Sequence, residues 1–515
     1  MLLPALHLCH STCNLVERLV PPRRLQQEPI IRPEYPWEAK GVYFQGSVLK
    51  DGATFRMWYS AIGAQRRAEQ YLAYAESADG VHFEKVLRPE WAHAGWATTN
   101  ILYGQRFNVS APNVHFYHEA RGAYRFFLVF DSRIEQHEFQ YVPKHGGLHP
   151  ADKLRLMRHP NYTPDFDWSK YYPNVNQTYR AVYLADSVDG LRWEPPDARF
   201  GIPGMSDGDH TVVWDPLRRC YRMYFRANRL DENGRRIRQV VTATSTDTLE
   251  WSSPQVCLES DAIDDPRVHQ IHGMTVTWHD GLFIGLIQMM EIQDEIVTWN
   301  PLTPFELARF HVQLAVSRDG VRFHRVADRA EYFGTGETGC FDCGMVRSGG
   351  QWVFDGDRML MYYDGRPYPH GQRDPANPHR LLGDGCTGQV GIGVAEAPRD
   401  RFAGLTPRDT ARPGYLTVAL LEEADALTLN CDVPAGAEIT ASLRYSDGCR
   451  ILPYTDEDFL PIRTGGLRVP LRWRCGERLP TIAHPLHLRL CLKGQATVYA
   501  LNEMRPGGCA LPTPP

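Results

Sequence analysis

Apolar and polar residues alternate with a period of two along most of the chain, in short segments that are separated by polar turns. Two clear examples are Tyr71–Ala75 and Val312–Val316. Such alternation is typical of β-strands with one buried face, whereas an amphipathic helix repeats every ~3.6 residues. The pattern therefore predicts a fold made almost entirely of short strands.

A short motif, Ser-x-Asp-x-x-x-(Phe/Trp), ends four of these segments. It occupies residues 77–83, 187–193, 245–251 and 317–323. In three copies Gly follows the Asp, and its conformational freedom suits a tight hairpin turn. The Ser and Asp side chains can bond to turn amides, and the aromatic residue can pack on the sheet. We interpret these aspartates as turn residues and not as catalytic groups.

A second unit recurs before these turns and consists of an apolar strand, a polar turn and an aromatic-rich strand. Its copies lie within residues 46–59, 113–130, 211–225, 274–287 and 344–363. Self-similarity at a spacing of tens of residues indicates a repeat architecture. Five units of about four strands each predict a five-bladed β-propeller.

The chain is too long for one ordinary core, which predicts a large domain and a smaller one. We assign residues 1–404 to the propeller, with an N-terminal extension at 1–40 and an insertion at about 135–179. Long insertions in repeats usually lie on the functional face. Short alternating strands with turns between them predict a β-sandwich over residues 405–515.

Charge and hydropathy exclude several classes of partner. The formal net charge is −5, and Lys and Arg do not cluster, so nothing favours nucleic-acid binding. No segment approaches the ~18 continuous apolar residues of a membrane span. Residues 1–20 do not have the pattern of an export signal. We expect a cytoplasmic protein with neither a nucleic-acid nor a membrane partner.

The chain has 12 cysteines, which we expect to be reduced and mostly buried. Cys340 and Cys343 have the spacing of a metal or redox pair, and Cys9 and Cys13 lie close to His7 and His10. No second Cys-x-x-Cys completes a zinc site. No nucleotide-binding glycine loop is visible. The sequence predicts neither a bound metal nor a cofactor.

Several segments carry a resemblance to a known group of proteins, namely 35–38, 55–59, 207–215, 339–345 and 362–365. With the fivefold repeat, they resemble the five-bladed β-propeller glycoside hydrolases of families 32, 43, 68 and 130. The chain is most similar to uncharacterised bacterial family 32/43-like proteins with a C-terminal β-sandwich. The resemblance spans nearly the full chain. It implies hydrolysis or transfer at a glycosidic bond by two carboxylates in the central funnel.

In that group the working acids stand at the starts of the innermost strands of different blades. The resemblance implies Asp207 as base or nucleophile and Asp342 or Glu38 as acid. Candidate groups for binding and positioning the substrate are Trp37, Asn113, Asp209, Arg226, His272, Glu291 and Glu337.

The chain departs from the group's pattern in two blades. The inner strand of blade one, at 43–47, has no Asp, and Asn113 stands where blade two could carry an acid. A non-catalytic sugar-binding or scaffolding propeller is therefore one alternative, and it would hold its carboxylates far apart or in ion pairs. Phosphorolysis or another biosynthetic reaction is a second, favoured if Arg226, Arg229 and His272 face the funnel. We predict a glycosidase-like enzyme for a small intracellular glycoside.

Overall fold

A computed structural model describes the chain in segments. They are residues 1–64, 70–103, 110–118, 124–135, 178–193, 200–203, 210–230, 236–248, 251–296, 305–374, 377–381, 390–420, 424–481 and 485–504. Within them the chain forms strands and short 3-10 helices, at Leu6–Leu8, Pro36–Glu38, Pro89–Trp91 and Ala327–Arg329. The predicted all-β fold is confirmed. Among the described residues, no helix has the length and apolar character needed to cross a membrane.

The N-terminal residues and the repeats form strands in the order predicted from the alternation. The first strands are β1 (Ser11–Cys13), β2 (Leu15–Leu19) and β3 (Arg23–Arg24). Sheet 1 contains β4 (Gly41–Asp51), β5 (Thr54–Ile62), β6 (Gln70–Ser77), β7 (Glu84–Lys85) and β8 (Ile101–Tyr103). Sheet 2 contains β9 (Ser110–His118), β10 (Tyr124–Glu135), β11 (Thr178–Ser187) and β12 (Phe200–Pro203).

The next two sheets continue this antiparallel pattern. Sheet 3 contains β13 (Thr211–Asp215), β14 (Cys220–Leu230), β15 (Arg236–Ser245) and β16 (Gln255–Glu259). Sheet 4 contains β17 (His269–His279), β18 (Leu282–Ile296), β19 (Phe305–Ser317), β20 (His324–Arg325) and β21 (Glu331–Phe333).

Sheet 5 receives one strand from the N-terminal segment, because β3 pairs with its outer strand. Its other strands are β22 (Met345–Ser348), β23 (Val353–Asp355), β24 (Arg358–Arg366) and, after a hairpin, β27 (Gly391–Pro398). The hairpin consists of β25 (Arg373–Asp374) and β26 (Asn377–Leu381). A single parallel bridge between Phe310 and Met345 joins sheets 4 and 5.

Two further sheets share one apolar core. Their strands are β28 (Ala403–Pro407), β29 (Gly414–Ala419), β30 (Ala426–Asp432), β31 (Glu438–Tyr445), β32 (Gly466–Pro470), β33 (Leu486–Lys493) and β34 (Thr497–Met504). The orders are β2-β28-β34-β30-β32 and β1-β29-β33-β31. The N-terminal residues thus add one strand to each sheet, a long-range pairing that the local pattern does not predict.

Sheets 1 to 4 contact one another through their first strands. Sheet 4 contacts β22 of sheet 5 through β18 and β19, and sheet 5 contacts β4 of sheet 1, so the contacts run in a circle. Backbones approach closely at its centre, since a Cβ on Gly349 would lie 1.6 Å from the Phe44 carbonyl oxygen. Side chains bond across the sheets there: Gln351 donates to the carbonyls of Val212 and Val276 at 3.1 and 3.2 Å. The five sheets agree in number with the five blades that the repeats predict, and the propeller itself stays a prediction.

The repeated turn motif adopts the predicted local bonding. In the first copy the Gly80 amide donates to Ser77 Oγ at 3.0 Å, and the Val81 and His82 amides donate to Asp79 Oδ1 at 2.8 Å. The copies that begin at Ser187 and Ser317 repeat this geometry. The interpretation of these aspartates as turn residues is confirmed.

Each of these three turns also bonds to the neighbouring sheet. Tyr362 Oη, on β24 of sheet 5, donates to the Gly80 carbonyl at 2.8 Å. Trp58 of sheet 1 donates to the Gly190 carbonyl at 2.7 Å, and Tyr224 of sheet 3 donates to the Gly320 carbonyl at 2.9 Å. The motif is therefore both a hairpin turn and the connection between adjacent sheets.

Replacing Gly80 by Ala should destabilise the protein more than the same change at Gly52. Both glycines have positive φ, +77° and +60°, which costs a residue with a Cβ about 1–2 kcal/mol. A Cβ at position 80 would also lie 2.8 Å from Leu360 Cδ1, whereas position 52 is open. Overpacking adds about 1–3 kcal/mol. Urea unfolding of Gly80→Ala and Gly52→Ala measures the difference, and equal losses would contradict the sheet-connecting role.

Candidate active site

Charged side chains from sheets 3 and 4 meet at the end where their first strands begin. Tyr224 on β14 pairs with Thr211, the first residue of β13. Arg226, two residues further along β14, therefore lies beyond the start of β13. Its Nη1 lies 2.8 Å from Nε2 of His272, which stands at a bulge near the start of β17. Both side chains are buried. The structure thus brings together two residues that the sequence analysis proposed for substrate positioning.

The contact with Arg226 defines the protonation state of His272. A guanidinium can only donate, so Nε2 accepts and the ring proton lies on Nδ1. Burial, with the positive charges of Arg226, Arg347 and Arg238, holds the pKa of His272 well below its usual value. His272 is therefore neutral near pH 7 and can polarise or position a ligand without adding a charge.

Sheet 5 contributes a buried carboxylate between two arginines. Asp364 on β24 pairs in register with Arg347 on β22. Its Oδ2 accepts from Arg347 Nη2 at 2.8 Å and lies 3.4 Å from Arg366 Nη2. Within the described part of the chain, Oδ1 is buried and has no hydrogen-bond partner. One face of this carboxylate is thus held by guanidinium groups, and the other oxygen can still accept.

Further side chains extend the site to sheet 1. The guanidinium of Arg366 lies 4.6 Å from the centre of the Tyr43 ring on β4. On the other side, Arg238 Nη1 donates to Gln270 Oε1 at 2.8 Å, and the rings of His272 and His370 are 6.4 Å apart. We call this set the arginine–histidine cluster; it comprises Arg226, Arg238, His272, Arg347, Asp364, Arg366 and His370.

The composition of the cluster suits a ligand with negative charge or many oxygens. Guanidinium groups bind carboxylates and phosphates through paired hydrogen bonds. Burial strengthens each of these interactions because the local dielectric constant is low. The cluster can therefore hold an anion, and Asp364 offers a carboxylate beside it.

Glu38, a predicted acid, lies in a different network. Its side chain is fully buried, and its Oε2 is 2.7 Å from Lys85 Nζ. Tyr59 Oη donates to Oε1 at 2.8 Å, and the amides of Glu34 and Tyr35 donate to Oε2. These bonds tie the segment before β4 to sheet 1.

Asp342, the other predicted acid, is also buried and ion-paired. Arg24 Nε on β3 donates to its Oδ2 at 2.7 Å, and Tyr363 Oη donates to the same atom at 3.1 Å. The guanidinium of Arg24 also lies 4.2 Å from the centre of the Phe333 ring. The pair connects the N-terminal segment to sheet 5.

The remaining predicted site residues are dispersed. The ring of Trp37 is buried, stacks on Tyr35 at 4.7 Å and donates to Asn100 Oδ1 at 2.9 Å. Glu291 lies 3.5 Å from Arg309, and Glu337 is exposed. Residues outside the described part of the chain are Asp207 and Asp209, with the side chains of Asn113 and Arg229.

Asp364 was not among the candidates chosen from the sequence, although the segment 362–365 contributes to the resemblance. Candidates were sought at the starts of first strands, and Asp364 lies on the second strand of its sheet. Its pairing with Arg347 depends on the register between β22 and β24. The sequence signal that could have identified Asp364 is an Arg and an Asp at facing positions of one predicted hairpin.

Searches of protein-family models and of curated proteins give no match. Several solved structures are similar. One is an N-acetylgalactosamine deacetylase from F. plautii in complex with blood group B trisaccharide, with 13% identity, 75% of this chain and 96% of that chain covered, and a TM-score of 0.43. Another is the β-1,2-mannobiose phosphorylase of Listeria innocua, with 11% identity, 75% and 97% coverage, and a TM-score of 0.42.

A third similar structure is the catalytic domain of the Coprinopsis cinerea GH62 α-L-arabinofuranosidase. It shares 12% identity over 74% of this chain and 98% of that chain, with a TM-score of 0.40. A glycoside hydrolase and a phosphorylase are thus among the structures that this chain resembles.

Replacing Arg24 by Gln should destabilise the protein far more than replacing its neighbour Arg23 by Gln. Arg24 is partly exposed, but its removal leaves the buried carboxylate of Asp342 without its charged partner, and losing the partner of a buried charge costs up to about 3–5 kcal/mol. Arg23 pairs with Glu396 in an exposed bridge, with 74% of the Arg side chain accessible, and such pairs contribute less than about 1 kcal/mol. Chemical unfolding of both variants tests this. Losses of equal size would show that the Asp342 pair is not structural.

Proposed function

We propose that the protein is a glycosidase-like enzyme that cleaves or transfers a glycosidic bond of a small intracellular glycoside. The reaction takes place beside the arginine–histidine cluster. The proposal rests on one observation. Buried ionisable side chains from sheets 3, 4 and 5 lie together at one end of the circle of sheets, and Tyr43 of sheet 1 lies beside them. Perturbed titratable groups in one place are typical of reaction centres. The motifs that resemble propeller glycoside hydrolases support the same reaction class.

Two carboxylates are needed for this chemistry, one to act as acid and one as base or nucleophile. Asp207 is proposed as base or nucleophile, and it stands four positions before Thr211, the first residue of β13. Asp364 is proposed as a second reacting carboxylate because it belongs to the cluster. Asp342 and Glu38 were predicted as acids, but each forms an ion pair that holds two segments of the chain together, with Arg24 and Lys85 respectively.

A panel of aryl glycosides tests the proposal through release of nitrophenol by wild-type protein. We expect Asp207→Asn and Asp364→Asn to lower kcat by about 10²- to 10⁴-fold, the usual contribution of an acid or base. Asp342→Asn is the matched control, because it also replaces a buried carboxylate that is bonded to arginine. It should lower stability while activity per folded molecule is kept.

Thermal unfolding measured on every variant separates loss of folding from loss of chemistry. Loss of activity in folded Asp342→Asn or Glu38→Gln protein would restore those residues as the acid. Absence of activity across the panel in folded wild-type protein would favour the non-hydrolytic sugar-binding alternative.

Phosphorolysis is the second candidate function, and the contact between Arg226 and His272 favours it. Together with Arg347 and Arg366, these residues can bind inorganic phosphate in position to attack the sugar. Added phosphate should then accelerate turnover and yield a sugar phosphate. Replacing Arg226 by Met should raise KM for phosphate by about tenfold or more, since a charge-assisted hydrogen bond contributes about 1.5–3 kcal/mol. Turnover that does not depend on phosphate would exclude this reaction.

A further inference from the structure

We propose that His7, Glu17 and His324 form a binding site for a divalent transition-metal ion, with Zn²⁺ as the best match. This site is separate from the arginine–histidine cluster and independent of the proposed function. One ligand atom from each residue lies within 4.8 Å of the other two. It is the only group of three or more His, Cys, Asp or Glu side chains in the described residues that meets this geometry.

The three side chains come from two distant parts of the chain, the N-terminal segment and sheet 4. His7 lies in the N-terminal 3-10 helix, Glu17 on β2, and His324 on β20 directly after the turn motif of sheet 4. The imidazole rings of His7 and His324 are 4.4 Å apart, and His324 Nε2 lies 3.3 Å from Glu17 Oε1. Long-range folding therefore assembles two imidazoles around one carboxylate.

The Glu17 carboxylate is fixed in position by two backbone amides. Its Oε1 accepts from the Leu6 amide at 2.9 Å and its Oε2 from the Ala327 amide at 2.6 Å. Bonds of this kind to a ligating carboxylate are typical of the outer shell of metal sites.

The two imidazoles have the properties of ligands. A neutral imidazole has one ring nitrogen with a free lone pair, which is the donor that a metal ion takes. Among the described residues, the ring of His7 has no hydrogen-bond partner, and the ring of His324 is its aromatic neighbour. Two imidazoles beside a buried anion are well explained by a shared cation.

The chemical types of the three ligand atoms determine which metal ion the site prefers. Two imidazoles and one carboxylate suit Zn²⁺ and similar ions, whereas Ca²⁺ and Mg²⁺ prefer oxygen donors. Donors around one tetrahedral Zn²⁺ lie about 3.3 Å apart, so a small rotation of the exposed histidines is enough to close the site. Solvent can fill the fourth position because His324 is 45% accessible.

Cys9 is close in sequence but does not supply a thiolate. Its Sγ does not belong to the group of ligand atoms that lie within 4.8 Å of one another. The ligand set therefore differs from the Cys and His pairing visible in the sequence. The ion would instead join the N-terminal segment, which belongs to the two C-terminal sheets, to sheet 4.

Zn²⁺ binding to the metal-stripped full-length chain tests the proposal, with a chromophoric chelator as competitor. We expect one ion per chain and a rise in Tm on binding. Loss of an outer-shell partner costs about 10- to 100-fold in metal affinity, so loss of a ligand should cost at least about tenfold. His324→Asn, His7→Gln and Glu17→Gln should each weaken binding by this amount and remove the Tm rise.

The pair His10 and His487 provides a matched control, with rings 4.6 Å apart and no third ligand among the described residues. His10→Gln and His487→Gln should bind Zn²⁺ as the wild type does. Co²⁺ substitution separates this site from the cysteines, because a thiolate ligand adds a charge-transfer band and these ligands do not. Absence of saturable binding, a thiolate band, or unchanged binding in the His7 and His324 variants would overturn the proposal.

Discussion

Hydrogen bonds from one sheet to the turn of the next are the interaction on which the circle of sheets depends. In three copies a Gly of positive φ directs its carbonyl at a Tyr or Trp of the adjacent sheet. The bond at Gly80 joins sheet 1 to sheet 5 and so closes the circle. Because the same residues form the hairpin and the contact, local folding and assembly of the sheets are coupled. The aromatic residue that ends the motif contributes too, since Phe83 packs edge-on against Tyr362 at 5.9 Å.

The circular arrangement of the sheets also explains why buried charged side chains from different sheets lie close together. Arg226 and His272 meet near the starts of the first strands of sheets 3 and 4, where both side chains are buried. Buried charges are stable only when they are paired, and the cluster follows this rule through the contacts of Asp364 with Arg347 and Arg366. Glu38 and Asp342 follow it as well, with Lys85 and Arg24 as partners. A carboxylate that holds two segments together, such as Asp342, and a carboxylate within the arginine–histidine cluster, such as Asp364, therefore have similar local patterns in the sequence.

The candidate site was predicted only in part. Arg226 and His272 were named as positioning groups, and they do meet, because each lies near the start of its sheet's first strand. Asp364 was missed since its importance comes from the register of two strands and from side chains of other sheets. Trp37 was proposed beside the substrate, yet it packs in the core with Tyr35 and Trp96. An aromatic ring next to an acid has the same local pattern in both settings.

The sequence by itself determined the all-β class, the approximate strand positions and the chemistry of the turns. These features depend on neighbouring residues: alternation defines a half-buried strand, and Ser, Asp and Gly within seven positions complete a turn. Only the tertiary structure decided that β1 and β2 join the C-terminal sheets, that Arg24 pairs with Asp342, and that His7, Glu17 and His324 meet. Such partners lie hundreds of positions apart, and no local preference specifies which of many charged residues will be brought together when the sheets close.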